Sequence, residues 1–539
     1  MKFIYLIQMM VKNPLKFLDK VKHRLGIPSS DVRKMILRNK EVWSNYKNTK
    51  AKSVILFDYY PLVETELVRG YLWNVLAEKH NARIVSYATD RKIYSKIWHK
   101  IYESMNVSEH ILVSPSSKQK KKRDEIYNNI IGKITTKQEL FDLHIHGVWI
   151  GIDIYEEYLM RCSMHTVTLE DARIKDIIKD AIDILLFFED YFQKNNVKVI
   201  DSSHIGVRLK SNLVPKIAGK LFNIPFYTSH SRSVIHYPKP HLYYEEEERI
   251  FSSYHNLFLK QSAVERAQGV LWAKNSLSKR LSGGIGVDGF YATKTSFGKV
   301  DSSIVVTKNS NKLKIVICPH EFYDSPNCSG GLLFLDFYEW LLYLAHISTK
   351  TDFDWYIKTH PDVSKTSEIV IKDFVEKNQQ FTLIPSKTSF HQLKNEGVSH
   401  VLTCFGSVGH ECPLIGMTVI NAGNNVHMAY DFNHHPKTLD EYEKILLNLG
   451  GSNEEININD IYEFYYVQHK IVGRLSDDWF FDSYDKMLLD LSVSERNGFE
   501  MFRYFLENIT PEKHERIILT MKKFIDSQKV GVAMKEVVS

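Results

Sequence analysis

The chain alternates short apolar, β-branched runs with longer segments of helical period, and this order restricts its architecture more than any single motif does. Ser53–Phe57 is an apolar run, Glu66–His80 has helical spacing, and Ala82–Tyr87 is β-rich again, which predicts a βαβ unit. Asp171–Phe192 then reads as a long helix, Val197–Ile200 as a strand, Leu213–Phe222 as a helix and Pro225–Thr228 as a strand. Such alternation predicts a parallel sheet covered by helices on both faces. A second series begins at Leu313–Cys318 and runs through a helix over Leu332–Ile347, a strand at Phe353–Lys358 and a helix over Ser367–Lys377. It ends with strands at Phe381–Ile384 and His400–Thr403, a helix over Val408–Ile415 and a strand at Thr418–Ala422. Lys, Ser, Asn and Thr dominate 297–312, which marks the main boundary between the two series. The expected organisation is a basic helical extension (1–48), a first α/β domain (49–305), a second (306–475) and a C-terminal helical segment (476–539).

The 539 residues are enough for several cores, and 44% hydrophobic residues with 25 Gly and 15 Pro exclude collagen-like and wholly disordered chains. Five cysteines without a CxxC pair indicate neither a disulfide framework nor a zinc site, and a reducing cytoplasm is the expected location. The net charge of +6 is concentrated at the start: residues 1–40 hold ten Lys and Arg against Asp19 and Asp31, a balance of +8 that leaves the rest at −2. Phe3–Met10 is too short for a membrane span. With Lys12, Lys16, Lys20, Lys22 and Arg24 behind it, this segment is expected either to lie on an anionic inner-membrane surface or to form a solvated basic helix. Lys118–Arg123 lacks interleaved aromatics, so no nucleic-acid partner is expected.

Ligands of parallel α/β sheets bind beyond the carboxyl ends of the strands, so the residues that follow each strand are the ones to inspect. In the second domain these are Pro319–Pro326 with His320, Lys358–Asp362 with Lys358 and His360, and Cys404–Glu411, a turn containing Gly406, Ser407 and Gly409. A turn leading into a helix start suits a nucleotide phosphate, and Glu411, one helical turn further, is placed to accept hydrogen bonds from ribose hydroxyls. In the first domain Asp201-Ser-Ser-His204 follows a strand, with Asp58 in the equivalent place after the first strand. A base here would face the second domain's pocket. His204 is the first candidate, and Asp201 is the alternative as base or nucleophile. Capping of the next helix is the structural alternative for this run. His144 and His146, two residues apart without a nearby carboxylate, do not read as a metal site, and Asp352 and Asp354 read as a turn.

Gly151–Arg161, Ser203-His204 with Ala218–Pro225, His320–Trp340, Trp355–Pro361 and Gly406–Gly423 occur in the same order as in a family of bacterial capsule and surface-polysaccharide biosynthesis proteins. These resemble GT-B glycosyltransferases and, more distantly, capsule Kdo transferases. The resemblance spans about residues 140–450. It implies two Rossmann-like domains facing across a cleft, the nucleotide-sugar donor on the second domain at His320, His360, Ser407 and Glu411, and a glycan or lipid-linked glycan acceptor mainly on the first; Lys358, Gly406 and Gly409 are expected at the same donor site from their places after the strands. Helix-start N–H groups with Lys358 or His360 can neutralise the leaving phosphate, so metal-independent transfer without a cofactor is expected, the nucleotide-sugar being a substrate, by a cytoplasmic protein that the basic N-terminal segment would hold at the inner face of the membrane. Two departures stand out: Glu411-Cys412-Pro413 where the family commonly continues Glu-Ala, and Lys358-Thr-His-Pro361 where Lys-Pro-His-Pro is usual. CDP-polyol phosphotransfer, as in teichoic-acid-like polymer synthesis, and a non-catalytic assembly role are alternatives compatible with the same fold.

Overall fold

The computed structural model describes residues 26–46, 48–89, 95–203, 209–229, 234–285, 294–301, 303–328, 330–450, 456–472, 491 and 498–527. Residues 1–25, with the apolar start and the basic run from Lys12 to Arg24, lie outside them. The first domain carries β1 (Ser53–Asp58), β2 (Ala82–Ala88), β3 (Val107–Leu112), a small hairpin of β4 (His144–Ile145) and β5 (Val148–Trp149), then β6 (Asn196–Ser202), β7 (Phe226–Ser229) and β8 (Val234–Tyr237). Its sheet order is β3-β2-β1-β6-β7-β8. All neighbours are parallel except β7 and β8, which the sequence reading did not anticipate. The second domain carries β9 (Lys314–Ile317), β10 (Asp354–Lys358), β11 (Phe381–Ile384), β12 (Val398–Thr403) and β13 (Thr418–Asn421) in the order β11-β10-β9-β12-β13, all parallel. Both orders step outward from a central strand and then reverse, as in doubly wound Rossmann sheets, and the reversal creates a crevice at β1/β6 and another at β9/β12. The fold is α/β and GT-B-like, with two Rossmann-like domains.

The period of two along a strand sends alternate residues to opposite faces. Val54 and Leu56 enter the core under the Ala172–Lys194 helix, whereas Ile55 and Phe57 enter the core under the Val63–His80 helix. Ile315 and Ile317 pack on one side of the second sheet and Val316 on the other.

Two parts of the chain lie differently from the sequence division. Residues 294–312 run along the second domain: Phe297 packs with Val316 and Tyr356, the Lys308 N–H donates to the Tyr356 hydroxyl at 2.8 Å, and the Thr307 N–H donates to Glu396 Oε2 at 2.8 Å. The polar composition there reflects one solvent-facing side. The chain also returns to the first domain after β13. The Ile458–Tyr466 helix joins the first domain's core through Ile461, Phe464 and Tyr465. Gly269 makes this approach feasible, because a Cβ there would lie 2.5 Å from the Tyr466 ring. Helices Glu500–Asn508 and Pro511–Ser527 bury Phe502, Phe505, Met521 and Phe524 against the Val63–His80 side, so the C-terminal segment completes the first core rather than extending from it.

The helix expected over Leu332–Ile347 starts at Phe337, because the Asp336 carboxylate caps it by accepting the N–H groups of Tyr338 and Glu339. The helix expected over Val408–Ile415 divides into an α-turn, Val408–Glu411, and a 3₁₀ turn, Pro413–Ile415, since Pro413 has no N–H to continue the ladder. Among the described residues, no helix is long and apolar enough to cross a membrane.

Candidate functional site

A cavity of about 410 Å³ opens beyond the carboxyl ends of β9, β10 and β12, at the crevice of the second sheet. His320, Lys358, His360, Gly406 and Ser407 line it together, brought from three strand ends by the parallel register.

His320 Nε2 accepts the Phe405 N–H at 3.3 Å and lies 3.2 Å from the Thr403 hydroxyl. Its ring stacks on Phe337, with centroids 4.8 Å apart, and lies 4.5 Å from the Phe405 ring. An accepting Nε2 places the proton on Nδ1. Burial lowers the pKa to about 4, with the neighbouring His360 adding to the effect, so the ring is neutral at pH 7 and offers one N–H donor. His360 is more open, and its Nδ1 accepts the Asp362 N–H at 3.0 Å, which leaves Nε2 as the protonated nitrogen. Its pKa is lowered, first by burial.

Lys358 is 2% exposed. Its ammonium donates to the Ser386 carbonyl at 3.1 Å and lies 4.8 Å from the centre of the Phe390 ring. Burial lowers its pKa, opposed by Cys318, Cys412 and Glu411. The Cys318 thiol in the same wall is pushed up to about 12 by burial, which leaves it protonated and unreactive at neutral pH.

The Gly-containing turn is tightly folded on this wall. The Gly406 N–H donates to the Thr403 hydroxyl at 3.3 Å, and the Gly409 N–H to the Gly406 carbonyl at 2.9 Å. Gly409 itself faces the protein interior, where a Cβ would meet the His427 ring at 2.5 Å. The expectation for Glu411 is corrected. Its carboxylate is 1% exposed, with Oε1 accepting Arg280 Nε at 2.7 Å and Oε2 accepting the Ser407 hydroxyl at 3.2 Å, so it anchors the turn instead of presenting to a ribose. Arg280, which the sequence reading missed, ends the Ala263–Leu281 helix of the first domain and lines the cavity. Its sole sequence cue was a Lys-Arg pair in a last helical turn, where cations are favoured in any case.

The first-domain carboxylates do not line this cavity. Asp201 is fully buried: one oxygen accepts Arg69 Nε at 2.8 Å and Trp73 Nε1 at 2.7 Å, and the other accepts the Ser229 hydroxyl at 2.6 Å. Asp58, also fully buried, accepts Arg69 Nη2 at 2.7 Å and the Ser203 N–H at 3.1 Å. A buried guanidinium requires such partners, and here it has drawn both strand-end carboxylates inward. This corrects the placement expected for Asp201. His204 lies outside the described residues. His144 and His146 flank the tip of the β4–β5 hairpin, His146 meeting Glu189 at 2.5 Å, and no group of metal-binding side chains occurs among the described residues. Asp354 accepts the Ser310 hydroxyl, and Asp352 pairs with Lys312.

No family model and no curated protein matches the chain. Solved structures do. A Thermosulfurimonas dismutans KpsC β-Kdo 2,4-transferase is 12% identical, with 50% of this chain and 79% of that one covered and a TM-score of 0.31. A Methanocaldococcus jannaschii UDP-GlcNAc 2-epimerase, in complex with UDP-GlcNAc and UDP, is 10% identical over 77% of this chain and 99% of that one, with a TM-score of 0.21. The wall teichoic acid polymerase TagF is 10% identical over 90% of this chain and 97% of that one, with a TM-score of 0.19.

Proposed function

We propose that the chain is a GT-B glycosyltransferase that moves a sugar from a nucleotide-activated donor to a growing bacterial surface glycan, of capsule or O-antigen type. The observation that carries this reading is the convergence of His320, Lys358 and His360 with the Gly406–Ser407 turn in one cavity at the sheet's crevice. Two imidazole N–H donors and a buried ammonium suit a diphosphate that gains charge as it leaves. The acceptor hydroxyl loses its proton to a first-domain base and attacks the anomeric carbon. The bond from that carbon to the phosphate oxygen breaks, and the nucleotide departs with the electron pair. His204 is the proposed base, since both oxygens of Asp201 are engaged with Arg69, Trp73 and Ser229. The donors in the cavity stabilise the leaving phosphates without a metal. The basic residues of 1–40 hold the protein at the inner membrane surface, where lipid-linked acceptors reside.

Binding of CMP, CDP, UDP, GDP and dTDP, followed by thermal shift, tests the donor site. A nucleotide at 100 times its Kd should stabilise the protein by about 2.7 kcal/mol. A selective shift that His360→Ala abolishes supports the reading, and no shift with any nucleotide overturns it. The pair of neutral imidazoles in one cavity also favours a second reading, CDP-polyol phosphotransfer. Product analysis separates the two: sugar transfer from a nucleoside-diphosphate sugar releases the diphosphate, whereas polyol-phosphate transfer releases CMP. A CMP-activated acidic sugar also releases CMP, so the transferred group itself must be identified.

A further inference from the structure

The Gly151–Cys162 helix contains the Gly-Ile-Asp-Ile-Tyr-Glu-Glu run, which the donor chemistry does not use. This helix belongs to the first domain's core, yet two of its side chains reach the second domain. The Tyr155 hydroxyl donates to Asp336 Oδ2 at 2.6 Å, and the Thr166 hydroxyl donates to the same oxygen at 2.7 Å. Glu156 Oε1 accepts both the backbone N–H and the side-chain Nδ2 of Asn327, each at 2.9 Å. Lys137 pairs with Glu339 beside them. All three of Tyr155, Glu156 and Asp336 are buried.

Asp336 has a second task. Its other oxygen caps the Phe337–Ser348 helix, and Phe337, the first residue of that helix, stacks on the His320 ring. A continuous path of contacts therefore runs from a first-domain tyrosine through a helix cap to the imidazole in the cavity. Without the cap, the first helical turn loses the acceptor for two N–H groups, and the ring that holds His320 in plane loses its seat.

We propose that Tyr155, Thr166 and Asp336 form a positioning device that sets the orientation of His320, so that docking of the two domains and the aim of its Nδ1–H are one event. The proposal rests on the reading of His320 as a donor-site residue for its functional consequence, but not for the coupling itself. The full-length protein labelled with ¹⁵N-histidine, with His320→Gln used for assignment, provides a readout independent of activity. Asp336→Ala should move the His320 ring resonances and weaken nucleotide diphosphate binding about tenfold, the scale expected when one hydrogen bond to a charged phosphate is lost. Asp336→Asn keeps the capping oxygen but puts an NH₂ group where the Tyr155 and Thr166 hydroxyls found their acceptor, so it should lessen both effects without abolishing them. Tyr155→Phe should give a smaller shift of the same resonances. Thermal unfolding of each variant identifies any that fail to fold, and in that case Asp336→Asn and Tyr155→Phe carry the test. His320 resonances unchanged in a folded Asp336→Ala variant would overturn the proposal. So would an Asp336→Asn variant that shifts them as far as Asp336→Ala does. Moved resonances in a protein whose wild type binds no nucleotide would support the coupling and remove the donor-site reading instead.

Discussion

Replacing Glu156 by Gln should change the pH dependence of stability, with a sign that the burial of the carboxyl dictates. The side chain sits between the domains, 3% exposed, with Oε1 accepting two N–H groups of Asn327 and Oε2 without a hydrogen-bond partner among the described residues. Burial raises its pKa from the ordinary 4.5 to about 8, although the Asn327 bonds pull it down. Below pH 4.5 the folded and unfolded chains both hold the proton, and the group carries no pH-dependent cost. Between 4.5 and 8 the unfolded chain releases the proton while the folded chain keeps it, so stability falls as pH rises; above 8 the loss is complete. At about 1.4 kcal/mol per pH unit, the loss amounts to about 5 kcal/mol. Gln keeps the accepting oxygen and does not titrate. Urea unfolding of the wild type and Glu156→Gln, followed at several pH values from 4 to 9, should show the variant gaining on the wild type by up to that amount. A fixed offset from burying the amide NH₂ leaves the slope unaffected. A difference that stays flat with pH, or that favours the wild type as pH rises, would refute the reasoning.

Three further outcomes follow from buried contacts. Arg280→Ala should leave Glu411 as an unpaired buried charge and cost about 3–5 kcal/mol, read by chemical unfolding, whereas Arg280→Ala combined with Glu411→Gln should recover most of it. Gly409→Ala drives a methyl group into the His427 ring and should cost about 1–3 kcal/mol in unfolding free energy, while Gly298→Ala, with nothing within 4 Å of its Cβ position, should be neutral. Arg69→Met leaves Asp58, Glu66 and Asp201 without their shared cation and should lower the melting temperature sharply, with the loss reduced at acidic pH, where the carboxyls can take up protons.

Two α/β series and their strand ends were legible in the sequence because periodicity reports burial, and burial is what a doubly wound sheet imposes. That rule brought His320, Lys358, His360, Gly406 and Ser407 to one cavity. It failed where partners come from afar. Nothing near Glu411 in sequence announces Arg280, 131 positions earlier, and nothing near Asp201 announces Arg69, 132 positions earlier. A carboxylate at a strand end reads the same whether it opens to a cleft or satisfies a buried guanidinium, since the choice is made by tertiary packing. The return of the Ile458–Tyr466, Glu500–Asn508 and Pro511–Ser527 helices to the first domain escaped for the same reason: an amphipathic helix shows that it has an apolar face, not which core receives it.

That return also bears on the order in which the protein can be made. The second domain's core draws on one uninterrupted stretch, from Leu281 to Leu449, whereas the first domain's two cores need side chains from Val32 to Ile525. On a ribosome the later-synthesised unit has all its parts while the earlier one still waits for Phe502, Phe505 and Phe524 to emerge. Until then the Val63–His80 face is an uncovered apolar surface, the kind that nascent-chain chaperones bind. Vectorial synthesis therefore finishes this chain from the middle outward, and a stop codon between residues 450 and 500 should release a folded second domain joined to an aggregation-prone first one.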